Sequence, residues 1–229
     1  GNKYFVMRHG EGEHNISGIV ASRVDSPVHL TEKGKLNAEA AAEKLSDKKI
    51  DFVYVSPLVR TKETAEIVAK KLNITSDKII FDERLREIDA GEHENKEFSF
   101  LDFFQNLGNF DEKIDSGESP KDVKRRLGGF LYEVDGNHKD ENILIVTHGI
   151  FFEVIESILN GLDDERSLTH LKQILARVST GEIREYAFIA LPHNENYELD
   201  LHRPYIDEIA LQKDGNPLKR IPEVIDGWV

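Results

Sequence analysis

The chain has 229 residues, 39% of them apolar and 32% charged, a length and mixture that suit one globular core with room for an appendage. It contains no cysteine, which excludes disulfides and thiolate metal sites, and no apolar stretch long enough to span a bilayer as a helix. A formal charge of −13 argues against a broad nucleic-acid surface and requires any anionic ligand to be drawn in by a local arginine cluster against the general field. No basic, apolar leader opens the chain, so the cytoplasm is the expected location. The abrupt passage from Gly1 into the first apolar run reads as a domain cut from something longer.

Apolar runs alternate with helical patterns, which predicts an α/β fold with a mostly parallel sheet flanked by helices. Tyr4-Phe5-Val6-Met7 reads as a buried strand. After it, Leu30 to Gly34 leads into a helix with Thr31 as N-cap and Leu36, Ala40, Ala41 and Leu45 on its apolar face. Phe52 to Val55 gives a second strand ending at Ser56-Pro57, and Thr64 to Leu72 a helix carrying Ile67, Val68 and Leu72 at helical spacing. Ile79-Ile80-Phe81 is a short third strand. The charged and aromatic stretch from Asp89 to Ser119 reads as an irregular excursion that covers or shapes the mouth of a crevice. Ser119 and Pro120 then mark the start of a helix to about Val134. Ile143 to Val146 is a further buried strand, two helices over about 151–159 and 163–171 follow, and Ile183 to Leu191 reads as a strand. From about Pro192 the composition shifts, and Ile206–Leu211 and Leu218–Ile221 flank a Lys213-Asp214-Gly215-Asn216 turn, the pattern of a C-terminal β-hairpin. The expected division is 1–195 for the main domain and 196–229 for this flank.

Two of the strands end in histidine peptides, Arg8-His9-Gly10-Glu11 and Thr147-His148-Gly149. Ligands in open α/β sheets collect at the carboxyl ends of strands, so both imidazoles are expected to face one crevice. A neutral imidazole attacks phosphorus and holds the phosphoryl group covalently, which splits one difficult displacement into two easier ones. His9 is the candidate nucleophile. The equatorial phosphoryl oxygens need fixed donors, for which Arg8 and Arg60 are the planar forks, His148 a further donor and Asn15 a neutral one. Glu87, just past the third strand in Leu85-Arg86-Glu87, is the candidate acid, its pKa raised by crowding near phosphate. Arg23, and Arg125 or Arg126, are candidates to reach substrate, with a surface salt bridge as the competing assignment. Nothing in this set requires a metal or other cofactor; Glu13-His14 and Glu92-His93-Glu94 have the residue types of metal ligands, but solvated loop is the favoured assignment for both. No functional assignment falls on His29, His138, His170, His193 or His202.

These residues, in this order, resemble the histidine phosphatase superfamily, in its phosphoglycerate mutase-like branch. The opening motif Arg-His-Gly-Glu-Thr-x-x-Asn is matched by Arg8 to Asn15 except that Gly12 replaces threonine. Leu30 to Gly34, Ser56 to Ala65, Leu85 to Glu87, Gly117 to Ser119 and Thr147 to Gly149 match the later motifs, and the resemblance covers roughly residues 3–191. It implies a phosphohistidine at His9, a phosphate pocket of Arg8, Arg60 and His148, and Glu87 as proton donor and then as base for water. The insert that glycolytic mutases carry after the acid is missing; Ala90 to Glu94 continues in the style of the phosphatases, so a cofactor-independent hydrolase acting on a small phosphomonoester is expected ahead of a mutase.

A second resemblance covers the tail. Leu199 to Ile209, followed by Arg220 to Trp228, looks like the stretch of isoleucyl-tRNA synthetase where the chain returns to its catalytic domain. It implies a phosphatase-like domain inside a synthetase. The alternative function is then a catalytically idle recognition or spacer module of an isoleucine-tRNA ligase, with no direct nucleic-acid or membrane binding by the domain itself and tRNA reached through the parent.

Overall fold

The computed structural model describes residues 1–174, 178–187 and 223–224. Strands β1 (Lys3–Arg8), β2 (Phe52–Val55), β3 (Ile79–Phe81), β4 (Asn142–Thr147), β5 (Ile183–Ala187) and β6 (Glu223–Val224) form one sheet in the order β3-β2-β4-β1-β5-β6. The first four run parallel; β5 is antiparallel to β1, and β6 to β5. Helices α1 (Glu13–Ser17), α2 (Glu32–Lys44), α3 (Val59–Leu72), α4 (Phe100–Asn106), α5 (Pro120–Asn137), α6 (Gly149–Leu159) and α7 (Asp164–Ile174) lie between the strands. The expected fold class holds. The residues of the predicted hairpin, Ile206–Leu211 and Leu218–Ile221, lie outside the described residues, as does the predicted end of the strand beyond Ala187.

Side chains alternate across a strand, so each central strand feeds two cores. Phe5, Met7, Val53, Val55, Leu144 and Val146 face α2 and α3. Tyr4, Val6, Tyr54, Ile143 and Ile145 face the larger core built with α5, α6 and the segment before α5. Strands buried on both faces read as unbroken apolar runs, which is why β1, β2 and β4 stand out in the sequence.

Three expectations need correction. Thr31 does cap α2, its hydroxyl accepting from the Gly34 N–H at 3.0 Å, but the buried face is Gly34, Ala38, Ala41 and Ala42. Leu36 is 64% exposed and Ala40 is exposed as well. The reason is steric: Ala38, Ala41 and Ala42 share a core with Ala65 and Val68 of α3, and Gly34 meets the backbone of Glu11, so small residues suit this face. Second, α3 begins at Val59, five residues before Thr64, which places Arg60 in its first turn. Third, the stretch from Asp89 to Ser119 is more than irregular cover: it contains α4 and buries Ala90, Phe104, Leu107, Phe110 and Ile114. Among the described residues, no helix is long and apolar enough to cross a membrane.

Candidate active site

Strand register brings the two histidines together. In the parallel pair β1 and β4, Arg8 is matched with Thr147, and the His9 N–H donates to the Thr147 carbonyl at 3.0 Å. His9 and His148 therefore leave their strands side by side, with ring centroids 5.2 Å apart in an edge-on arrangement. Both are buried. On the other side of β4, Val55 of β2 is matched with Val146, and the chain turns after Ser56 into α3, which delivers Arg60 to the same strand ends.

Arg60 is 1% exposed and bridges the rings: its Nε donates to His9 Nε2 at 3.2 Å, and its Nη2 lies 3.1 Å from His148 Nδ1. A guanidinium has donors only, so both of those ring nitrogens accept. The remaining nitrogens carry the protons. His9 Nδ1 donates to the Gly10 carbonyl at 2.7 Å, and His148 Nε2 donates to Ser56 Oγ at 2.8 Å. Burial, and then the Arg60 charge, push the pKa values of both histidines well below the ordinary imidazole value. Each is neutral, and the unprotonated nitrogen of His9 is Nε2, whose lone pair accepts from Arg60. Burial lowers the Arg60 pKa to about 10, which leaves it charged near neutrality.

Arg8, the last residue of β1, donates to the Val178 carbonyl at 2.5 Å, while its buried Nε finds no acceptor among the described residues. Gly149 lies against this guanidinium; a Cβ there would stand 3.8 Å from Cζ. The first turns of α3 and α6 both open beside these groups, without a side-chain cap and without an acidic residue. Their N–H groups add to the positive field of the two arginines. An otherwise acidic protein thus has a basic pocket at the strand ends.

Glu87 lines a cleft of about 210 Å³ with Arg8, Phe100, Phe104, Gly149 and Ile150. Its Oε1 accepts from the Ile88 N–H at 2.9 Å, but burial outweighs this and the nearby arginines and raises its pKa. Arg126, pinned to Glu118 at 2.8 Å, donates to the carbonyls of Arg84 and Glu87 and so holds the segment that carries the acid. Thr147 does the same from beneath, its hydroxyl donating to the Leu85 carbonyl at 2.8 Å.

The structure thus assembles His9, His148, Arg60, Arg8 and Glu87. Of the other expected substrate contacts, Arg126 forms the ion pair just described, Arg125 is exposed, and Asn15 and Arg23 are engaged elsewhere. Asn15 is exposed, its Oδ1 accepts from the Gly12 N–H at 2.9 Å and its Nδ2 lies 3.2 Å from His14 Nε2. Arg23 is exposed and donates to the Gly91 carbonyl at 3.0 Å, which ties its loop to the segment before α4. Both were drawn from their chain positions, and local capping and loop bonds claim them first. His14, read as solvated loop, instead lies with its ring centroid 5.3 Å from that of His9. In the other charged loop, His93 pairs with Asp115 at 2.7 Å and Glu94 accepts from Ser22 and Ser26.

Sequence reasoning also missed supporting contacts that shape the nucleophile loop. The Gly10 N–H donates to Thr64 Oγ1 at 3.1 Å, and Gly10 and Gly34 meet so closely that a Cβ on Gly10 would stand 2.2 Å from the Gly34 carbonyl oxygen. The two glycine motifs are thus one contact, in which the start of α2 braces the loop after His9.

The sequence profile of the Histidine phosphatase superfamily (branch 1) matches residues 4–196. Phosphoserine phosphatase 1 of Hydrogenobacter thermophilus is 31% identical over 168 residues, which cover 70% of this chain and 77% of that protein. A Proteus mirabilis protein that carries the phosphoglycerate mutase name GpmB is 32% identical over 165 residues, 69% of this chain and 74% of that one. The solved structure of a mycobacterial glucosyl-3-phosphoglycerate phosphatase with VO3 superposes with a TM-score of 0.69 at 20% identity, covering 82% of this chain and 91% of that one, a likeness of fold. Match and geometry agree: this chain belongs to the histidine phosphatase superfamily.

Proposed function

We propose that the protein is a cofactor-independent phosphohydrolase that cleaves a small phosphomonoester through a phosphohistidine on His9. The observation that carries this reading is the tautomer of His9, with Nδ1–H held by the Gly10 carbonyl and the Nε2 lone pair turned to Arg60. As the substrate enters, the Arg60 N–H groups turn from the imidazoles to the phosphoryl oxygens, where charge assistance makes them stronger bonds. His9 Nε2 attacks phosphorus, the P–O ester bond breaks, and protonated Glu87 gives its proton to the departing oxygen. Water then attacks the phosphohistidine, the Glu87 carboxylate takes its proton, the N–P bond breaks, and orthophosphate leaves with His9 neutral again. Arg8, Arg60, His148 and the first turns of α3 and α6 neutralise the oxygens throughout.

The cleft beside Glu87 receives the leaving group, and its Phe100, Leu101, Phe104, Ile150 and Val178 walls suit a hydrocarbon part. The test is hydrolysis of p-nitrophenyl phosphate at mildly acidic to neutral pH with chelator present. The parent turns over and His9→Ala does not; equal turnover by the two sinks the reading.

A second reading concerns residues 196–229. The likeness of Leu199 to Trp228 to isoleucyl-tRNA synthetase, and the end of the superfamily match at residue 196, support a domain borne by such a synthetase as a recognition or spacer module. Deleting the domain from the parent synthetase then alters aminoacylation or editing of misacylated tRNA; unchanged rates of both speak against it.

A further inference from the structure

We propose that His14 is a phosphoryl-binding residue, admitted to the pocket by the missing side chain at Gly12, and that its Nδ1–H supplies the neutral donor expected of Asn15. The inference rests on the phosphatase reading of the site. Gly12 has φ −99° and ψ 161°, extended backbone that any residue adopts, so the backbone does not call for glycine. The space above it does. A Cβ on Gly12 would stand 2.7 Å from His14 Nδ1, 3.0 Å from its Cε1 and 3.4 Å from Arg60 Cδ. A threonine at this position, as in the superfamily motif, drives the His14 ring outward; glycine lets it lie against Arg60 and beside His9.

Its protonation follows from the neighbouring amide. The Gly12 N–H donates to Asn15 Oδ1, which fixes the amide so that Nδ2 donates to His14 Nε2. Neutral His14 therefore carries its proton on Nδ1, a buried atom with no acceptor among the described residues. Arg8, whose charge also reaches His9, has a buried Nε that likewise finds no acceptor among the described residues. A buried N–H left unpaired is costly, and the Arg8 charge reaches both imidazoles, so two such donors near the nucleophilic ring suit the oxygens of one tetrahedral anion. Burial, and then the facing charges of Arg60 and Arg8, lower the pKa of His14 to about 3, so it donates as a neutral group. Ring centroids 5.3 Å apart place the two imidazoles within the span of one phosphoryl group bonded to His9.

Orthophosphate binding, read by calorimetry on the parent, His14→Ala, His14→Gln, Gly12→Thr and the Gly12→Thr/His14→Ala pair, tests this without turnover. His14→Ala weakens binding by roughly 10- to 100-fold, the range of a hydrogen bond to a charged group. His14→Gln, which keeps an N–H, recovers most of the loss. Gly12→Thr weakens binding as much as His14→Ala does, and in the His14→Ala background it costs nothing more. Phosphate binding by His14→Ala equal to that of the parent overturns the proposal, as do losses that multiply in the pair. Turnover on p-nitrophenyl phosphate separates the two readings. A parent that binds phosphate through His14 but hydrolyses nothing contradicts the phosphatase alone; a hydrolase indifferent to His14 contradicts this proposal alone; a parent that binds no phosphate contradicts both.

Discussion

Arg60 Nε lies 3.2 Å from His9 Nε2, so the guanidinium that is to hold the phosphoryl oxygens also marks the nucleophilic nitrogen before they arrive. The same fork reaches His148 Nδ1 at 3.1 Å, which means that one side chain sets the tautomers of two histidines. A lysine at this position has one ammonium and no planar fork. Arg60→Lys is expected to lower kcat/KM about 10²- to 10³-fold, the loss seen on removing one fixed transition-state donor. Steady-state kinetics on p-nitrophenyl phosphate check it, and a loss below about threefold speaks against the bridging role.

Glu87 serves both halves of the reaction, but the halves need it unequally. Nitrophenolate leaves without a proton, whereas attack by water needs a base. Glu87→Gln should therefore release a burst of nitrophenolate equal to the enzyme present and then stall, with steady-state kcat down about 10²- to 10⁴-fold. Stopped-flow absorbance shows the burst. In the parent, the raised pKa of Glu87 keeps the proton in place into mildly acidic pH, and the first step slows as pH rises through that value for leaving groups that require protonation.

Stability should fall on the acid side of neutrality. His9, His14 and His148 all have depressed pKa values, that of His14 about 3, and burial is the first cause for each. Above the ordinary imidazole pKa of about 6.5 neither folded nor unfolded chain protonates them, and their burial carries no proton penalty. Below it the unfolded chain takes up protons that the folded one refuses, so stability drops as pH falls. Glu87 and the exposed His29, which is paired with Glu63, act in the opposite sense, since the folded state binds their protons more tightly, but they are two groups against three. Melting temperatures from pH 7.5 to 5 should decline, and His14→Ala should flatten the slope; a parallel curve contradicts the assignment.

The small-residue face of α2 gives a purely structural test. Ala38 is fully buried in the core it shares with Ala65 and Val68 of α3, and Leu36 is 64% exposed. Ala38→Leu should cost about 1–3 kcal/mol through overpacking, while Leu36→Ser stays within about 0.5 kcal/mol of the parent. Thermal melts decide between this face and the one that hydrophobicity alone suggests.

How far the molecule could be read from its residues depended on what each residue's signal measures. Tyr4 to Met7, Phe52 to Val55 and Ile143 to Val146 were legible because a parallel strand buried on both faces is a run of large apolar residues. The α2 face was misread because Gly34 and Ala38 do their packing by being small, which apolar periodicity does not register. The start of α3 was missed because Val59, Arg60 and Thr61 follow Leu58, which offers no side-chain cap. At the site, His9, His148, Arg60 and Glu87 were legible through motif order and strand ends. For Asn15 the motif marks a position but not the partners of its amide, which are Gly12 and His14. His14 was overlooked, although one signal was present: glycine at position 12, where the superfamily motif has threonine, made room for a ring.

The phosphohistidine itself is the central claim, and it can be trapped. Phosphorylated imidazole survives alkali and is lost in acid, so Glu87→Gln protein mixed with p-nitrophenyl phosphate, quenched in alkali within its burst and digested for mass spectrometry, carries the evidence. The account predicts one phosphoryl group on His9, absent from the Glu87→Gln/His9→Ala pair and released by mild acid. Nitrophenolate formed in the burst with no phosphate on His9, or with phosphate on another side chain, would contradict it.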